Sequence, residues 1–429
     1  MSGTVRAMAY QRRVVDDELD DLSAGAGAIA LEGAKAVGKS ATAAERVTTE
    51  FLLEDPATRE ILSAAPELML AGGPVLIDEW QHLPSTWDTV RRAVDAGADP
   101  GQFFLTGSAS ALNPGTHSGA GRILKVRMRP MSLCERGVQA PSVSLGALLT
   151  GARPAVLGRT AVGLTDYVAQ ITSSGFPGIR ALPEQVRRAQ LRGYVDRVID
   201  RDINEMGRTL RNAAALRRWL AAYAAATSTA ASYEAIRDAA TSGQGDKPAK
   251  TTTQPYRDAL ERLYVLDPIP AWLPTNNHIK ELAATPKHHL VDPALATSLL
   301  GLGPAALLRG EGGTVRIPRD GTFLGALFES LVAQSVRIYA QAAEATTSHF
   351  RTHRGEHEVD LIVERDDQRV VALETKVAAT VTGADVKHLL WLRERLGGDL
   401  LDAVILTTGT FAYRRDDGIA VVPAALLGP

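Results

Sequence analysis

Eight residues near the start of the sequence have the types and the spacing that phosphate binding requires. Residues 33–40, GAKAVGKS, fit the pattern G-x-x-x-x-G-K-[ST] without a mismatch. Glycines in such a loop let backbone N–H groups close around phosphate oxygens, while Lys39 reaches the β- and γ-phosphates and the Ser40 hydroxyl binds Mg²⁺. The segment predicted to bind nucleotide consists of Gly33, Ala34, Lys35, Ala36, Val37, Gly38, Lys39 and Ser40.

An acidic pair at the end of an apolar run is the second chemical element. Residues 75–77, Val-Leu-Ile, lead directly into Asp78 and Glu79. A buried parallel strand would bring Asp78 to the edge of the sheet where the phosphate loop also lies. Asp78 is suited to hold Mg²⁺ through water, and Glu79 to polarise the water that attacks the γ-phosphate. P-loop kinases lack such a Glu, so the pair favours ATP hydrolysis over phosphate transfer; taken alone, it would be a solvated turn.

Three further residues are candidates for catalytic contacts. Thr106 and Ser108 end the next apolar strand, where a hydroxyl would contact the γ-phosphate or the attacking water; an ordinary polar strand end is the alternative. Arg122 follows a glycine-rich turn and is a candidate arginine finger. After it the chain alternates, which predicts that Leu124, Val126 and Met128 face inward and that Lys125, Arg127 and Arg129 face outward.

The elements around these residues must form a parallel sheet if their chemistry is to converge. An apolar run at residues 28–31 precedes the phosphate loop as a strand, and a helix begins at residue 41. Further strands are predicted at 50–53, 75–77 and 103–108, with helices between them. This alternation predicts the α/β fold of a P-loop NTPase, a parallel sheet covered on both faces. The same context disfavours the alternative that residues 33–40 are a turn that binds nothing.

The composition is that of a soluble globular protein with several domains. A length of 429 residues suggests two to four domains. Lys and Arg number 47 against 49 Asp and Glu, and the net charge of −2 indicates neither nucleic acid nor membrane as a global partner. The one cysteine, Cys134, excludes an intrachain disulfide and suits a reducing cytoplasm. We see no signal peptide and no apolar run of membrane-spanning length.

The middle of the chain is predicted to be helical. Residues 166–206 read as helices around a Ser-Gly-Phe-Pro-Gly turn, which suggests a small helical lid over the nucleotide. Between residues 210 and 273, three short helices are followed by an extended segment, which is the layout of a winged helix-turn-helix. The third helix carries Arg257 and Arg262 but also Asp258 and Glu261, so docking between neighbouring domains is favoured over DNA reading.

The last third of the sequence holds a separate set of charged residues. An apolar helix carries Glu329, and the elements after it complete the order α-β-β-β-α-β. Asp360 lies on one strand of a predicted hairpin, and Glu374 and Lys376 share a face of the other. Two carboxylates and a lysine in this order match the PD-(D/E)xK nuclease pattern, in which the acids bind Mg²⁺ and the lysine activates water. The alternative is a structural ion-pair cluster on an inactive fold.

Three histidines in the same region, His349, His353 and His357, recur at intervals of four residues. On strand-like backbone this spacing scatters the side chains along an edge, so we interpret them as surface residues and not as metal ligands.

The chain resembles predicted bacterial and archaeal AAA-type ATPases whose C-terminal half is a domain of unknown function with a restriction-endonuclease-like fold. The segments that carry the resemblance are GAKAVGKS (33–40), LIDEWQ (76–81), FLTGS (104–108), SGAGRI (118–123), RMRPMSL (127–133), LGALFESLV (324–332), EVDLIVE (358–364) and ALETK (372–376). The resemblance implies Lys39 and Ser40 as nucleotide and Mg²⁺ contacts, Asp78 and Glu79 as Walker B, and Thr106 or Ser108 as the sensor. It also suggests Asp360, Glu374 and Lys376 as a nuclease-like trio. The family's cellular role does not indicate a substrate.

Together these patterns predict four domains. They are an AAA-type P-loop ATPase core at 1–150, a helical lid at 151–208, a winged helix-turn-helix at 209–280 and a restriction-endonuclease-like α/β domain at 281–429. The first hypothesis is a cytoplasmic, Mg²⁺-dependent ATPase whose nucleotide state controls the C-terminal domains. An ATP-gated nuclease or DNA-binding protein is the second, and a slowly hydrolysing switch for a protein partner is the third. ATP and Mg²⁺ are the predicted cofactors, DNA or a protein is the expected partner, and the oligomeric state stays open.

Overall fold

The computed structural model describes residues 10–107, 119–203, 213–241, 250–274, 284–309, 321–352 and 355–429. The chain divides into two compact units between Met128 and Arg129. The first unit is therefore shorter than the expected domain at 1–150. Residues 129–150 belong to the second unit because strand residues Val143 and Ser144 pair there with Leu427 and Gly428.

The first unit is a five-stranded sheet with helices around it. Its elements are α1 (Val15–Ser23), β1 (Ala28–Glu32), α2 (Lys39–Ala44), β2 (Thr49–Leu52), α3 (Pro56–Ala64), β3 (Val75–Asp78), α4 (Ser85–Asp95), β4 (Phe103–Gly107) and β5 (Ile123–Arg127), with short 3₁₀ helices at Pro66–Leu70 and Trp80–His82. Every neighbouring pair in the order β2-β3-β4-β1-β5 is parallel. Because β1 lies between β4 and β5, the strand order changes direction there, and the carboxyl ends of strands at such a point are where open α/β sheets bind ligands.

Burial explains why the central strands are almost wholly apolar. Side chains of β1, β3 and β4 are buried on both faces, as parallel strands covered by helices must be. Trp80 and Trp87 close one side of this core, with ring centroids 4.6 Å apart.

Strand β5 departs from the alternation that the sequence predicts. Val126 and Met128 are buried as expected, but Leu124 is 40% exposed because β5 is an edge strand with a neighbour on one side only. Arg129 does not face solvent either: its guanidinium makes a 2.9 Å ion pair with Asp267 within the second unit. The alternating pattern breaks at residue 129 because the sheet has ended and another unit has begun.

The second unit contains a helical part and an eight-stranded mixed sheet. Its described elements up to residue 308 are mostly helical and are β6 (Val143–Ser144), α5 (Leu145–Leu149), β7 (Gly158–Arg159), α6 (Leu164–Ser173), α7 (Pro177–Arg180), α8 (Glu184–Arg197), a π-helical turn (Val198–Asp202), α9 (Ala213–Ala225), α10 (Tyr233–Thr241), α11 (Lys250–Arg262), β8 (Ala271–Trp272), α12 (Pro293–Leu299) and α13 (Pro304–Leu308). The elements that follow are α14 (Gly321–Ala342), β9 (Thr346–Arg351), β10 (Glu358–Glu364), β11 (Val370–Lys376), α15 (Lys387–Leu396), β12 (Leu400–Thr407), β13 (Phe411–Arg414), β14 (Ala420–Pro423) and β15 (Leu427–Gly428), with 3₁₀ turns at Gly397–Asp399 and Ala424–Leu426.

The predicted order α-β-β-β-α-β appears in this sheet as α14-β9-β10-β11-α15-β12. The strands are arranged β7-β13-β14-β12-β11-β10-β9-β8. Strands β9, β10 and β11 are antiparallel neighbours, and β11, β12 and β14 are parallel. Two strands from early in the unit join late ones, since β7 pairs with β13 and β6 pairs with β15.

The helices expected as a lid do not form a separate unit in the described part of the chain. Helices α6 and α8 both pack against α12, and α6 also packs against α14. Helices α6 and α8 therefore fold together with segments more than 90 residues later in the sequence. Two hydrogen bonds join the end of α6 to the start of α12. The Asp292 carboxylate accepts from the Ser174 hydroxyl at 2.9 Å and from the Gly175 N–H at 2.6 Å.

Within its described residues, the segment expected as a winged helix-turn-helix contains three helices, α9, α10 and α11. After them Leu266 and Ile269 make isolated antiparallel bridges to Leu290 and Lys287. Strand β8 then extends the large sheet beside β9. The three helices thus precede a paired extended segment, and the DNA-reading role of this layout stays a prediction.

None of the described helices combines the length and the apolar character needed to cross a membrane.

Candidate functional site

The phosphate loop runs from the end of β1 into α2, and its backbone requires glycine at two places. At Gly33 a Cβ atom would lie 2.2 Å from the Met128 carbonyl oxygen, so no larger residue fits. Gly38 has φ +103°, a conformation that L side chains rarely adopt. These constraints explain the two fixed glycines of the motif and place Lys39 at the first residue of α2.

Lys39 is buried, and its ammonium is held by the loop itself. Its Nζ atom donates to the carbonyl oxygens of Gly33 at 2.9 Å and Ala34 at 3.0 Å. Burial lowers the pKa of Lys39 to about 8, against the opposing effect of Glu79 and Asp78. A buried ammonium whose hydrogen bonds go to neutral carbonyls suits an anionic ligand such as a phosphate, which would relieve the cost of burying the charge.

Ser40, Asp78 and Thr106 meet at the carboxyl edge of the sheet. The Ser40 hydroxyl donates to Asp78 Oδ1 at 2.6 Å, although 38 residues separate the two. The fully buried Thr106 hydroxyl donates to the same oxygen and accepts from the Glu79 N–H at 3.4 Å. A hydroxyl and a carboxylate are oxygen ligands of the kind that Mg²⁺ takes, so these residues fit the predicted metal.

Glu79 has an unusual backbone. Its φ of 53° and ψ of 49° are left-handed, a conformation that costs a non-glycine residue about 1–3 kcal/mol and that clusters at functional sites. The Gln81 side-chain amide donates to the Glu79 carboxylate. Gln81 is itself confined, because a Cβ atom at Gly107 would come within 2.9 Å of its Oε1 atom. Sequence reasoning missed Gln81; its signal was a polar side chain two residues after the acidic pair.

Arg13 and Tyr10 were also missed, since they lie outside every motif. The Arg13 guanidinium, which is 5% exposed, donates to the Val37 carbonyl at 2.9 Å. The Tyr10 hydroxyl lies 3.1 Å from the Thr42 hydroxyl on α2. The segment before α1 thus contacts the phosphate loop at Val37 and the helix that follows it at Thr42.

The structure does not bring Arg122 to the phosphate loop of its own chain. Ile123 is paired in register with Ala28, at the amino end of β1, whereas the loop leaves the carboxyl end after Glu32. Arg122 instead forms a 2.8 Å ion pair with Asp95 at the end of α4. Arg122 is therefore not placed to act as an arginine finger on the nucleotide site of its own chain. Ser108, the other sensor candidate, lies outside the described residues.

The predicted acidic pair of the C-terminal region does come together. Leu361 pairs with Leu373 on the antiparallel strands β10 and β11, and continuing this register sets Asp360 opposite Glu374. Lys376 Nζ lies 3.0 Å from Glu374 Oε1. Burial and the Asp360 charge together raise the pKa of Glu374 to about 8.

A residue that the sequence did not single out, Lys287, dominates this cluster. Its side chain is 1% exposed, and its Nζ atom lies 2.8 Å from Glu329, 3.0 Å from Asp360 and 3.2 Å from Glu358. Burial alone would lower the pKa of Lys287, but the three carboxylates raise it above its usual range. A single lysine without a motif around it gives no sequence signal, so only the fold could reveal this role.

Both oxygens of Asp360 are occupied. Oδ1 accepts from Lys287, and Oδ2 accepts from the N–H and the hydroxyl of Thr375, each at 2.8 Å. Burial would raise the pKa of Asp360, yet these donors hold it below its usual value. Across the described ranges, no group of three or more His, Cys, Asp or Glu side chains is arranged to hold a metal ion. The geometry matches the ion-pair alternative, with Lys287 and not Lys376 as the main cation.

The three histidines that the sequence predicts to be surface residues do not share one environment. His349 is buried, 2% exposed, because β9 lies between β8 and β10. The interpretation of His349 as a surface residue is therefore wrong. The ring of His357 stacks on Trp391 with centroids 4.0 Å apart, and His353 lies outside the described residues.

Comparison with family models divides the chain into three matches. Residues 26–136 match an AAA domain (AAA_14). Most of the first unit is therefore similar to an AAA domain. Residues 164–306 and 324–427 match two domains of unknown function, DUF8612 and DUF4143. The first of these covers most of the expected lid and all of the expected winged helix, which lie in one unit.

Relatives of known sequence and structure are distant. The uncharacterized proteins Mb2031c of Mycobacterium bovis and Rv2008c of Mycobacterium tuberculosis are each 27% identical over 332 residues, which is 76% of this chain. The chain spans 63% of the length of these relatives. The structure of the Walker-type ATPase PABY2304 of Pyrococcus abyssi aligns with a TM-score of 0.37 at 15% identity, over 66% of this chain and 94% of that one.

Proposed function

We propose that the protein is a Mg²⁺-dependent ATPase. The observation that carries the proposal is the hydrogen bond between Ser40 and Asp78, which joins the end of the phosphate loop to the end of β3. A hydroxyl and a carboxylate brought together beside a buried lysine are the set that Mg²⁺ and a nucleoside triphosphate need. The match of residues 26–136 to an AAA domain supports the same conclusion.

Each residue has a distinct role in this proposal. Lys39 exchanges its carbonyl partners for phosphate oxygens and orients the terminal phosphates. Ser40 and Asp78 hold Mg²⁺, which supplies charge neutralisation to the phosphates when bound. Glu79 accepts a proton from the attacking water, and Thr106 keeps the Asp78 carboxylate in place through its hydroxyl.

The hydrogen bond from Gln81 implies a step before catalysis. The Gln81 amide occupies the Oε2 atom of the Glu79 carboxylate, so a water that approaches this oxygen must displace it. Glu79 must therefore turn from Gln81 before it accepts the proton. This positioning would allow slow hydrolysis until a partner or the nucleotide changes the contact, which accommodates the slowly hydrolysing switch.

The proposal is tested by measuring phosphate release from ATP by the purified chain, with Mg²⁺ and with EDTA. DNA or RNA is added in parallel, and a gel then tests for cleaved nucleic acid. Mg²⁺-dependent release that Lys39→Ala abolishes supports the ATPase. Release that persists in Lys39→Ala would assign the activity to another protein in the preparation or to another site.

Nucleotide state is proposed to act on the second unit, which contains the expected lid (151–208), winged helix-turn-helix (209–280) and C-terminal domain (281–429). The partner is a protein or DNA, bound through the last two segments, in the cytoplasm. An ATP-gated nuclease is the alternative, and the convergence of Asp360 and Glu374 favours it. The buried Lys287 ammonium between the acids weighs against it, because it occupies an oxygen that a catalytic metal would need.

A further inference from the structure

Three carboxylates of the C-terminal region converge on one point from two elements. Glu329 comes from the middle of α14, while Glu358 and Asp360 come from the same face of β10. Their nearest oxygens lie 2.8–3.2 Å from Lys287 Nζ. With the ammonium at its centre this group is not arranged to hold a metal ion, but convergent carboxylate oxygens are ligands of the kind that hard cations such as Ca²⁺ or Mn²⁺ take.

A second feature of this cluster also indicates a cation. Glu374 is 5% exposed, and its Oε2 atom has no hydrogen-bond partner within the described part of the chain. The residue stands opposite Asp360 on the adjoining strand. A buried carboxylate oxygen without a partner is costly unless something binds it, so Glu374, across the hairpin from Asp360, is a further candidate ligand of the same site.

Lys287 is placed in the cluster by its backbone. It exchanges both N–H and C=O hydrogen bonds with Ile269, each 2.9 Å long, and so is fixed on an extended segment that belongs to neither α14 nor β10. The ammonium thus comes from a third element, the extended segment that contains Lys287. Because it is part of the chain, it is always present, whereas a free ion must compete from solution.

We propose that the Lys287 ammonium is the resident cation of a carboxylate site and that it excludes divalent metal from it. The site takes Mn²⁺ or Ca²⁺ when the ammonium is removed. In the natural protein the C-terminal region therefore does not activate water on a metal at these carboxylates. This inference is independent of the proposed ATPase, whose residues lie in the other unit.

The test uses the full chain carrying Lys39→Ala, so that the phosphate loop does not contribute a nucleotide-linked metal. Lys287→Ser is added to open the site, and Lys287→Arg serves as the matched control because it keeps the charge. Each protein is titrated with Mn²⁺, followed by the electron paramagnetic resonance signal of free Mn²⁺ and by the melting temperature. We expect Lys287→Ser to bind one Mn²⁺ per chain and to melt at a temperature that rises with Mn²⁺ concentration. The parent and Lys287→Arg show neither effect.

Two results would overturn the proposal. One is a parent protein that binds Mn²⁺ at a site lost on Asp360→Asn, since the ammonium would then not exclude metal. The other is a folded Lys287→Ser protein that binds no Mn²⁺. If Lys287→Ser does not fold, the double variant Lys287→Ser/Glu358→Gln, which removes one charge of each sign, is titrated instead. Mn²⁺ binding by this variant supports the proposal, and a folded double variant that binds none refutes it.

Discussion

Glu79 combines a backbone conformation that is costly for a residue with a Cβ atom and a side chain that is already hydrogen-bonded. The left-handed φ of 53° turns the chain sharply after β3, which separates the direction of the Glu79 side chain from that of Asp78. Two adjacent acids can thereby take different tasks, one beside Ser40 and one beside Gln81. The sequence motif predicts the acids, but the turn that distinguishes them depends on packing around Gly107 and Trp80.

Replacing Glu79 by Gln is expected to separate ATP binding from hydrolysis. The amide keeps the size of the side chain but does not accept a proton from water, so ATP should bind and persist. Loss of a general base lowers a rate by about 10²–10⁴-fold. Single-turnover phosphate release and equilibrium binding of a fluorescent ATP analogue measure the two effects. Gln81→Ala is the companion variant, and unaltered turnover in Glu79→Gln would place the base elsewhere.

The buried charge of Lys39 suits phosphate binding but lowers the stability of the nucleotide-free fold. Its burial lowers the pKa to about 8, which means that the folded, nucleotide-free protein holds this proton less tightly than the unfolded chain does. The penalty is complete below pH 8 and declines as the pH rises from 8 toward the unfolded value of 10.5. At about 1.4 kcal/mol per pKa unit, it is on the order of 3 kcal/mol at neutral pH.

Lys39→Met should therefore abolish ATP binding and yet raise the melting temperature of the nucleotide-free protein at pH 7. The methionine keeps the length of the side chain and removes the buried charge. The stabilisation should fade toward pH 10, where the parent lysine is already neutral in the folded state. Calorimetry at pH 7 and pH 10 measures it, with the exposed Lys387→Met as the control. A variant that is less stable than the parent at pH 7 would show that the ammonium stabilises the loop.

At the scale of elements, the sequence predicts features that follow a local pattern and misses residues that belong to no pattern. Apolar strands followed by Gly-Lys-Ser or by Asp-Glu are local patterns, so β1, β3 and the groups at their ends could be predicted. The order of elements around Asp360 and Glu374 was likewise predictable, because alternation and hairpin spacing set their faces. Lys287 was not, since its partner Glu329 lies 42 residues away and no periodic pattern joins them. Edge position, which exposes Leu124, is also a property of the whole sheet and not of the strand.

Two facing acids on the hairpin of β10 and β11, Asp360 and Glu374, can be replaced by their amides to compare their contributions to stability. Asp360→Asn leaves the buried Lys287 ammonium with less negative charge, and breaking a buried ion pair costs about 3–5 kcal/mol. Glu374→Gln resembles the neutral acid that the raised pKa favours, so it should cost about 1 kcal/mol or less near pH 6. Urea unfolding of both variants at pH 6 measures the difference. Equal costs would contradict the assignment of Lys287 as the main partner of Asp360.

The pH dependence of the same two proteins provides a control. The folded pKa of Glu374 is raised to about 8 from 4.5, so its contribution to stability is complete below pH 4.5 and is lost as the pH rises through 8. Glu374→Gln does not titrate and should lack this loss. The stability difference between parent and variant is therefore expected to shift in favour of the variant between pH 5 and pH 9.

At the scale of the whole molecule, the groups proposed to bind ATP all lie in the first unit. A ligand stabilises the unit that binds it, in proportion to the logarithm of its concentration over its dissociation constant. ATPγS with Mg²⁺ should therefore raise the melting of the first unit directly. Hydrogen exchange followed by mass spectrometry distinguishes the units, and we expect new protection at residues 33–44 and 75–79. Protection that appears in residues 213–262 as well would reveal coupling to the second unit.

The pairing of β6 with β15 and of β7 with β13 has a consequence for synthesis. Residues 10–128 contain every strand of the first sheet, so that unit is complete soon after it leaves the ribosome. Residues 142–160 must wait for partners at 410–428, as in the hydrogen bonds from Ser142 to Leu426 and from Thr160 to Thr410. At about 5–20 residues per second the delay is roughly 15–60 s. During this interval the nascent chain leaves these residues of the second unit without their strand partners, while the strands of the first unit can already pair.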